Sequence, residues 1–314
     1  MNIGILSTSS IAPRFIAAVR EEGSFQVTAL SSRTQEKAAE KAKAWDIPKA
    51  YGNHADLLKD ETVDIVYISA VNSAHYKWAK AALEAGKHVI CEKPCTTTQA
   101  QTRELFALAK EKGLFLMEAQ KMLFLPAVQA VKKAIDEGRL GTVRMAEFNH
   151  SFYGSYNNWM YDEAAGGGPL LSSAIYVIEL MQYLFSCKVA RIEGICTKYP
   201  GTNVEDQYVL SGQMENGVLF SLKNSTLALL KNGACIYGEK AYAELPEYWK
   251  ARKVIFCDHQ TETEEAYPCD HELVYEVAHI ADCFRKGLPE SPVVTGEFSA
   301  QAIATLEQVK NLWN

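Results

Sequence analysis

Apolar runs and helix-spaced apolar positions alternate along the first 118 residues. Ile3-Gly-Ile-Leu6 is a short continuous apolar run, as a strand buried on both faces requires. Helical spacing follows over residues 11–19, and residues 25–31 return to strand character. Thr34 stands where a capping side chain belongs, before an Ala/Lys/Glu-rich helix that ends near Trp45 and is closed by Ile47-Pro48. A short helix at 55–58 leads to the apolar strand 64–70. The helix 74–85 stops at Gly86, strand 88–91 follows, helix 98–112 stops at Gly113, and strand 114–117 completes the series. Such strands, separated by helices, predict a doubly wound parallel sheet covered on both faces. Ligands gather at the carboxyl ends of its strands.

Beyond Pro126 the period changes. A helix at 127–137 ends at Gly138, residues 143–152 form a long strand, and a loop with Gly166-Gly167-Gly168 leads to a helix ending at Phe185. Strands then succeed one another at 189–198, 208–213, 218–224, 234–237, 242–245 and 253–256, with Asn216-Gly217 a hairpin signal between two of them. Helices at 273–285 and 299–313 finish the chain. Strand after strand implies a large, mostly antiparallel sheet with helices on one side. The predicted architecture is an α/β domain over residues 1–120 and an α+β domain over 121–314.

A length of 314 residues agrees with two cores rather than one. The apolar share of 48% and charged share of 22% are those of a globular protein. A net charge of −6 with no basic run argues against a nucleic-acid partner. No basic leader opens the chain and no apolar run looks long enough for a bilayer, so a cytoplasmic protein with no membrane partner is expected. The eight cysteines, scattered through predicted strands and helices, are expected as free thiols. Cys257-Asp-His259 and Cys269-Asp-His271 bring four potential ligands within fifteen residues, but a C-x-H spacing is not that of a structural zinc site, and no metal is expected.

The turn after the first strand is the first candidate site. Ser7, Thr8, Ser9, Ser10 and Ile11 occupy the place where a dinucleotide fold carries its glycines. Serine is the smallest substitute bearing a Cβ, and its hydroxyl can donate to phosphate at a helix start whose amides already attract anions. Serines here can equally be plain helix caps. The second strand ends Ser31-Ser32-Arg33, without the carboxylate that receives an NAD ribose. Arg33, assisted by Ser32, suits the 2′-phosphate of NADP, so NADP is expected in preference to NAD.

Two later strands end in Ala70-Val-Asn-Ser-Ala-His75 and Cys91-Glu-Lys-Pro94. Together with the opening loop, MEAQ at 117–120, EGRLGTVR at 137–144, EAAGGGPLL at 163–171 and YEVAHIADC at 275–283, they make the chain resemble the Gfo/Idh/MocA oxidoreductase family nearly end to end. Within it, the branch of dihydrodiol and NADP-linked xylose dehydrogenases is most similar. The resemblance implies a Rossmann domain and hydride exchange between nicotinamide and a carbinol or carbonyl carbon of a sugar, polyol or diol. It assigns Lys93 to cofactor and substrate, and Asn72, His75 and Glu92 to the nicotinamide half. A partly buried ammonium, its pKa lowered toward working pH, suits proton exchange with an alkoxide.

The family's second catalytic pair is an aspartate followed four residues later by histidine or tyrosine. Here those places hold Ser172 and Tyr176. Tyr176 is thus expected to share the proton with Lys93, without a neighbouring anion. Relatives often carry WRFHP where this chain has Met122-Leu-Phe-Leu-Pro126, which removes two polar groups and leaves Lys121 as their replacement if it faces inward. Lys121, Asn149, Tyr153, Trp159, Tyr161 and Ser172 are the candidate pocket residues for a carbohydrate-like substrate. Two other classes stay open: an NADP-binding sensor without turnover, and a redox-assisted glycoside hydrolase that retains NAD. Homodimers are frequent among relatives, and the strand-rich sheet is the face expected to pair with a second copy.

Overall fold

The computed structural model describes residues 1–152 and 158–313. The chain divides into two compact units, Met1–Gln120 with His271–Ala300 and Lys121–Asp270 with Gln301–Asn314.

The first unit opens with β1 (Asn2–Leu6), α1 (Ala12–Glu22), β2 (Gln26–Ser31), α2 (Gln35–Ala44), β3 (Lys49–Tyr51) and α3 (His54–Leu58). It continues with β4 (Ile65–Ile68), α4 (His75–Glu84), β5 (His88–Glu92), α5 (Gln99–Glu111) and β6 (Leu116–Ala119). The strands form a parallel sheet in the order β3-β2-β1-β4-β5-β6. Ile3, Ile5, Ile65, Val66, Ile68, Val89 and Ile90 are fully buried, which explains the continuous apolar runs. The order reverses between β1 and β4, so their carboxyl ends border the crevice where doubly wound sheets bind ligands. Thr34 caps α2 as expected, accepting from the backbone N–H of Lys37, and Thr98, expected inside its helix, instead caps α5 by accepting from the N–H of Gln101.

The second unit contains α6 (Pro126–Asp136), β7 (Val143–Ser151), α7 (Ile175–Phe185), β8 (Val189–Lys198), β9 (Glu205–Met214), β10 (Leu219–Ser225), β11 (Gly233–Gly238), β12 (Ala241–Pro246), β13 (Lys253–Asp258) and β14 (Glu262–Ala266). Its eight-stranded sheet runs β14-β13-β12-β11-β7-β10-β9-β8, antiparallel except where β10 lies parallel to β7. The hairpin at Asn216-Gly217 forms as expected, with the Met214 N–H on Val218 O at 2.8 Å. One face is covered, with α6 against β12 and β13 and the turn before α7 against β10. The opposite face leaves Met145, Ile195, Val209, Leu219 and Tyr242 exposed.

Two expectations change. The run Glu163–Phe185 does have the length and apolarity of a bilayer span, but most of it is buried in the second unit, which accounts for its apolarity. The second domain was expected to run unbroken to residue 314. Instead α8 (Val274–Arg285) belongs to the first unit, and α9 (Gly296–Leu312) starts there before continuing into the second. An aromatic cluster explains the return of α8: Phe284 packs on Phe115 at 4.8 Å, His88 at 5.1 Å and Phe25 at 5.9 Å between ring centroids.

Candidate active site

At the crevice, Ser7 has φ 86, a left-handed backbone that favours glycine, and its N–H bonds to Ser31 O at 3.2 Å. The tight turn of the fingerprint is therefore made here, by a serine under strain. The plain-cap alternative does not hold, because no side chain caps the start of α1. Ser9 Oγ is buried without a partner. Ser69, just past β4, is 3% exposed, its Oγ likewise lacks a partner, and its N–H bonds to Leu6 O at 3.1 Å. Two buried hydroxyls thus await an acceptor on either side of the switch point. Thr8 is half-buried, Ser10 exposed, and Ile11 O receives the first helical amides, those of Arg14 and Phe15.

At the end of β2, Ser32 is buried and Arg33 exposed. Ser31 Oγ lies 2.8 Å from His54 Nδ1, and the His54 ring meets Trp78 edge-on at 4.9 Å. Burial first, and then the charges of Arg33 and Lys77, hold the His54 pKa below its ordinary value. Arg33 and Lys77 thus both act on this imidazole, and the Lys77 ammonium lies 4.8 Å from the centre of the same Trp78 ring. Lys77 escaped the sequence reading because only the fold brings α4 to this strand end.

The segment after β5 is fixed from three sides. Tyr67, fully buried and stacked on Phe15 at 3.7 Å, donates its hydroxyl to Glu92 Oε1 at 2.6 Å. His75 Nδ1 lies 2.8 Å from Pro94 O, and its Nε2 lies 3.0 Å from Ala70 O. Burial pushes the His75 pKa down, and the hydrogen bonds to the Pro94 and Ala70 carbonyls oppose that shift. Glu118, also fully buried, accepts the Cys95 N–H at 2.9 Å. The Lys93–Pro94 peptide is cis, and Lys93 is half-buried between these anchored neighbours. Asn72 is buried in the short turn before α4, and His75, at 1% exposure, acts through backbone carbonyls rather than presenting a polar edge. Tyr67 and Glu118 also went unread. Their signal was a hydroxyl and a carboxylate inside otherwise apolar strands, each of which needs a partner.

In the second unit, the triple glycine is a packing requirement. A Cβ on Gly167 would meet Met160 O at 2.5 Å, and one on Gly168, whose φ is +100, would collide with the Glu205 carboxylate. That carboxylate accepts the Leu170 N–H at 2.7 Å, at the start of a π-helical turn (Leu170–Ala174) that carries Ser172 and runs into α7 with Tyr176. Ser172 is buried and donates to Gly168 O at 2.8 Å, a bond that an ionised aspartate in its place could not make. Tyr176 is half-buried. Trp159 and Tyr161 stand in the segment against the glycines, with Gly168 N–H on Met160 O at 2.9 Å, and Tyr161 stacks on Tyr199 at 4.0 Å. Lys121 is buried, with 5% exposure.

Asn149 requires correction, and Tyr153 lies outside the described residues. Along β7, Ala146, Phe148 and His150 face the helices, so Asn149 points to the opposite, open face. The polar group on the covered face is His150, its Nδ1 2.8 Å from the Tyr248 hydroxyl and its ring stacked on Trp249 at 4.0 Å. The alternation Ala-x-Phe-x-His-x-Phe over 146–152 was the available signal.

The crevice residues suit a dinucleotide: a turn of fingerprint geometry, an uncapped helix start, buried hydroxyls lacking acceptors, and two cations at the end of β2. All eight cysteines are free thiols, and among the described residues no cluster of His, Cys, Asp and Glu could hold a metal.

Family models match the chain twice. One, described as the oxidoreductase family with an NAD-binding Rossmann fold, covers residues 1–120, and the GFO/IDH/MocA C-terminal domain covers residues 128–244. The chain is 31% identical to trans-1,2-dihydrobenzene-1,2-diol dehydrogenase of Mus musculus, across 98% of this chain and 95% of that protein. It is similar in structure to aldose-aldose oxidoreductase from Caulobacter crescentus complexed with glycerol, with a TM-score of 0.90 and 23% identity over 99% of this chain and 97% of that one. KijD10, a 3-ketoreductase from Actinomadura kijaniata complexed with NADP and TDP-benzene, gives 0.89 and 23% over 100% and 98%.

Proposed function

Because the chain belongs to the Gfo/Idh/MocA oxidoreductase family, we propose that it exchanges hydride between NADP(H) and a carbinol or carbonyl carbon of a sugar, polyol or diol. The observation that carries this reading is the anchoring of Glu92, Pro94 and Cys95 around Lys93 by Tyr67, His75 and Glu118. Three bonds, two of them buried, hold one lysine at the carboxyl rim of a nucleotide-binding sheet, the preorganisation that proton transfer rewards. When bound, the nicotinamide supplies hydride exchange at its C4. The amides and hydroxyls of Ser7–Ile11, with Ser69, receive the pyrophosphate, and Arg33 with Lys77 pairs the 2′-phosphate. Lys93 gives a proton to, or takes one from, the reacting oxygen, and the family motif assigns Tyr176 the companion role. Ser172 shapes the turn rather than supplying an anion.

The test is NADP+ reduction against a panel of aldoses, polyols and vicinal diols, including trans-1,2-dihydrobenzene-1,2-diol. Lys93→Met is expected to lower kcat/KM by about 100-fold or more while leaving NADP+ binding intact. Unchanged turnover in that variant removes Lys93 from the chemistry, and a flat panel with tight NADPH binding would instead support a sensor.

The open sheet face supports a homodimer. Leu219, Met145 and Tyr242 share one row across the strands and Ile195 and Val209 pair in another, with Arg191 and Lys223 beside Glu147 and Glu193 for two-fold charge matching. Light scattering should report a dimer, and Ile195→Lys a monomer.

A further inference from the structure

His54 opens α3 beside the carboxyl end of β2, and the sequence reading gave it no role. Its Nδ1 lies 2.8 Å from the hydroxyl of Ser31, two residues before Arg33. Its ring meets the half-buried Trp78 edge-on at 4.9 Å, and the Lys77 ammonium sits 4.8 Å from the centre of that indole. The imidazole is thus held on two sides at the corner where Arg33 and Lys77 are assigned above to a 2′-phosphate. Capping does not require a histidine here, because Asn53 already caps α3 by accepting the Asp56 N–H at 2.8 Å.

The groups around the ring set its charge. Lys77 comes from α4 and Arg33 from the segment after β2, and both act on the imidazole. Tyr51 on β3 donates its hydroxyl to Asp60 at 2.9 Å, Asp56 on α3 itself accepts from Lys59 and Asn53, and β1 has no titratable side chain. Burial, followed by the charges of Arg33 and Lys77, lowers the His54 pKa from 6.5, so the free ring is neutral at pH 7. A dianionic phosphate beside these cations reverses the electrostatic part of that shift, because it offsets both charges. Ser31 suits such a change. A hydroxyl donates to Nδ1 of a neutral ring and accepts from it when the ring is charged, which leaves Nε2 to donate elsewhere.

We propose that His54 is a specificity-determining residue for the cofactor, taking up a proton as a 2′-phosphate binds beside Arg33 and Lys77 and so tying the preference for NADP over NAD to pH. The inference rests on the NADP reading above and deepens it. Below the pH at which the bound ring titrates, His54 adds a third positive charge to the phosphate corner. Above it, Arg33 and Lys77 act alone. NAD, with a ribose hydroxyl in place of the phosphate, offers the added proton no anion. By linkage, the affinity for NADP rises as the pH falls, until the free ring is itself protonated.

The experiment titrates NADP+ and NAD+ into the full chain by calorimetry from pH 8.5 to 6, using the wild type, His54→Asn and His54→Gln. Either amide keeps a polar partner for Ser31 but does not titrate, and protonation of the phosphate itself, at about pH 6, cancels between wild type and variant. The NADP+ affinity of the wild type relative to the variants is expected to rise by about tenfold across that range, the equivalent of about one pKa unit, while the same ratio for NAD+ stays within about twofold. In buffers of different ionisation enthalpy at pH 7, the wild type should take up on the order of half a proton more than the variants when NADP+ binds. A wild-type-to-variant ratio that does not change with pH overturns the proposal, as does equal proton uptake or a matching rise for NAD+. Those results leave the cofactor reading standing where NADP+ still binds and Arg33→Ala weakens it. A wild type that binds NADP+ no more tightly than NAD+ at any pH overturns the cofactor reading and this proposal together.

Discussion

Glu205 offers the most direct test of how the second unit holds its π-helical turn. Burial raises its pKa from the ordinary 4.5 to about 6, opposed by hydrogen bonds from the Leu170 amide and its own, and by Lys310, and assisted by Glu163. A carboxyl whose folded value is raised binds its proton more tightly folded than unfolded. Its favourable contribution is therefore complete below about 4.5 and is lost as the pH rises through 6. The rise from 4.5 to about 6 corresponds to about 2 kcal/mol. Glu205→Gln keeps an oxygen for the Leu170 N–H but removes the titration. Relative to this variant, the wild type should lose about 2 kcal/mol between roughly pH 4.5 and 7.5, while every other titrating group cancels in the difference. Urea unfolding over that range, followed through Trp159, Trp249 and Trp313 of the second unit, gives the comparison. A difference constant to within about 0.5 kcal/mol, or one favouring the wild type at high pH, would refute the buried-carboxylate reasoning.

Three further outcomes are expected. Ser7→Gly should leave stability unchanged or raise it by about 1 kcal/mol, because glycine adopts the positive φ without strain, whereas a loss of that size in thermal unfolding would contradict a fingerprint-like turn. Tyr67→Phe keeps the stack on Phe15 but strands Glu92, so a destabilisation of about 1.5–3 kcal/mol with lowered kcat is expected in denaturant titration and initial-rate assays. Arg33→Ala should weaken NADP+ binding by about tenfold or more and leave NAD+ binding within about twofold, as read by calorimetry with each dinucleotide, since only the 2′-phosphate needs the guanidinium.

Much of the candidate site was legible before the fold. Ser7–Ile11, Arg33 and the Glu-Lys-Pro turn were readable because each sits at the end of an apolar strand, and strand ends are marked locally by period and turn chemistry. The supports were not. Tyr67 is 25 residues from Glu92, and Glu118 is 23 from Cys95, so those pairings exist only once β4, β5 and β6 lie side by side. Ser172 was visibly not an aspartate, but that its hydroxyl turns back to Gly168 is a matter of the π-helical register.

The chain on its own determined the alternation of elements, the parallel and antiparallel characters of the two sheets, the Thr34 cap and the Asn216-Gly217 hairpin, because hydrophobic period and turn chemistry act within a few residues. Tertiary structure alone decided the rest. The short strands β3 and β14 lie at sheet edges and are half-buried or exposed, so no buried pattern marks them, and their existence depends on a neighbour to pair with. The return of α8 depends on Phe284 finding aromatic partners far along the chain. The face chosen by Asn149 and Asn224 follows from register, where one residue's difference separates the open surface from the covered one.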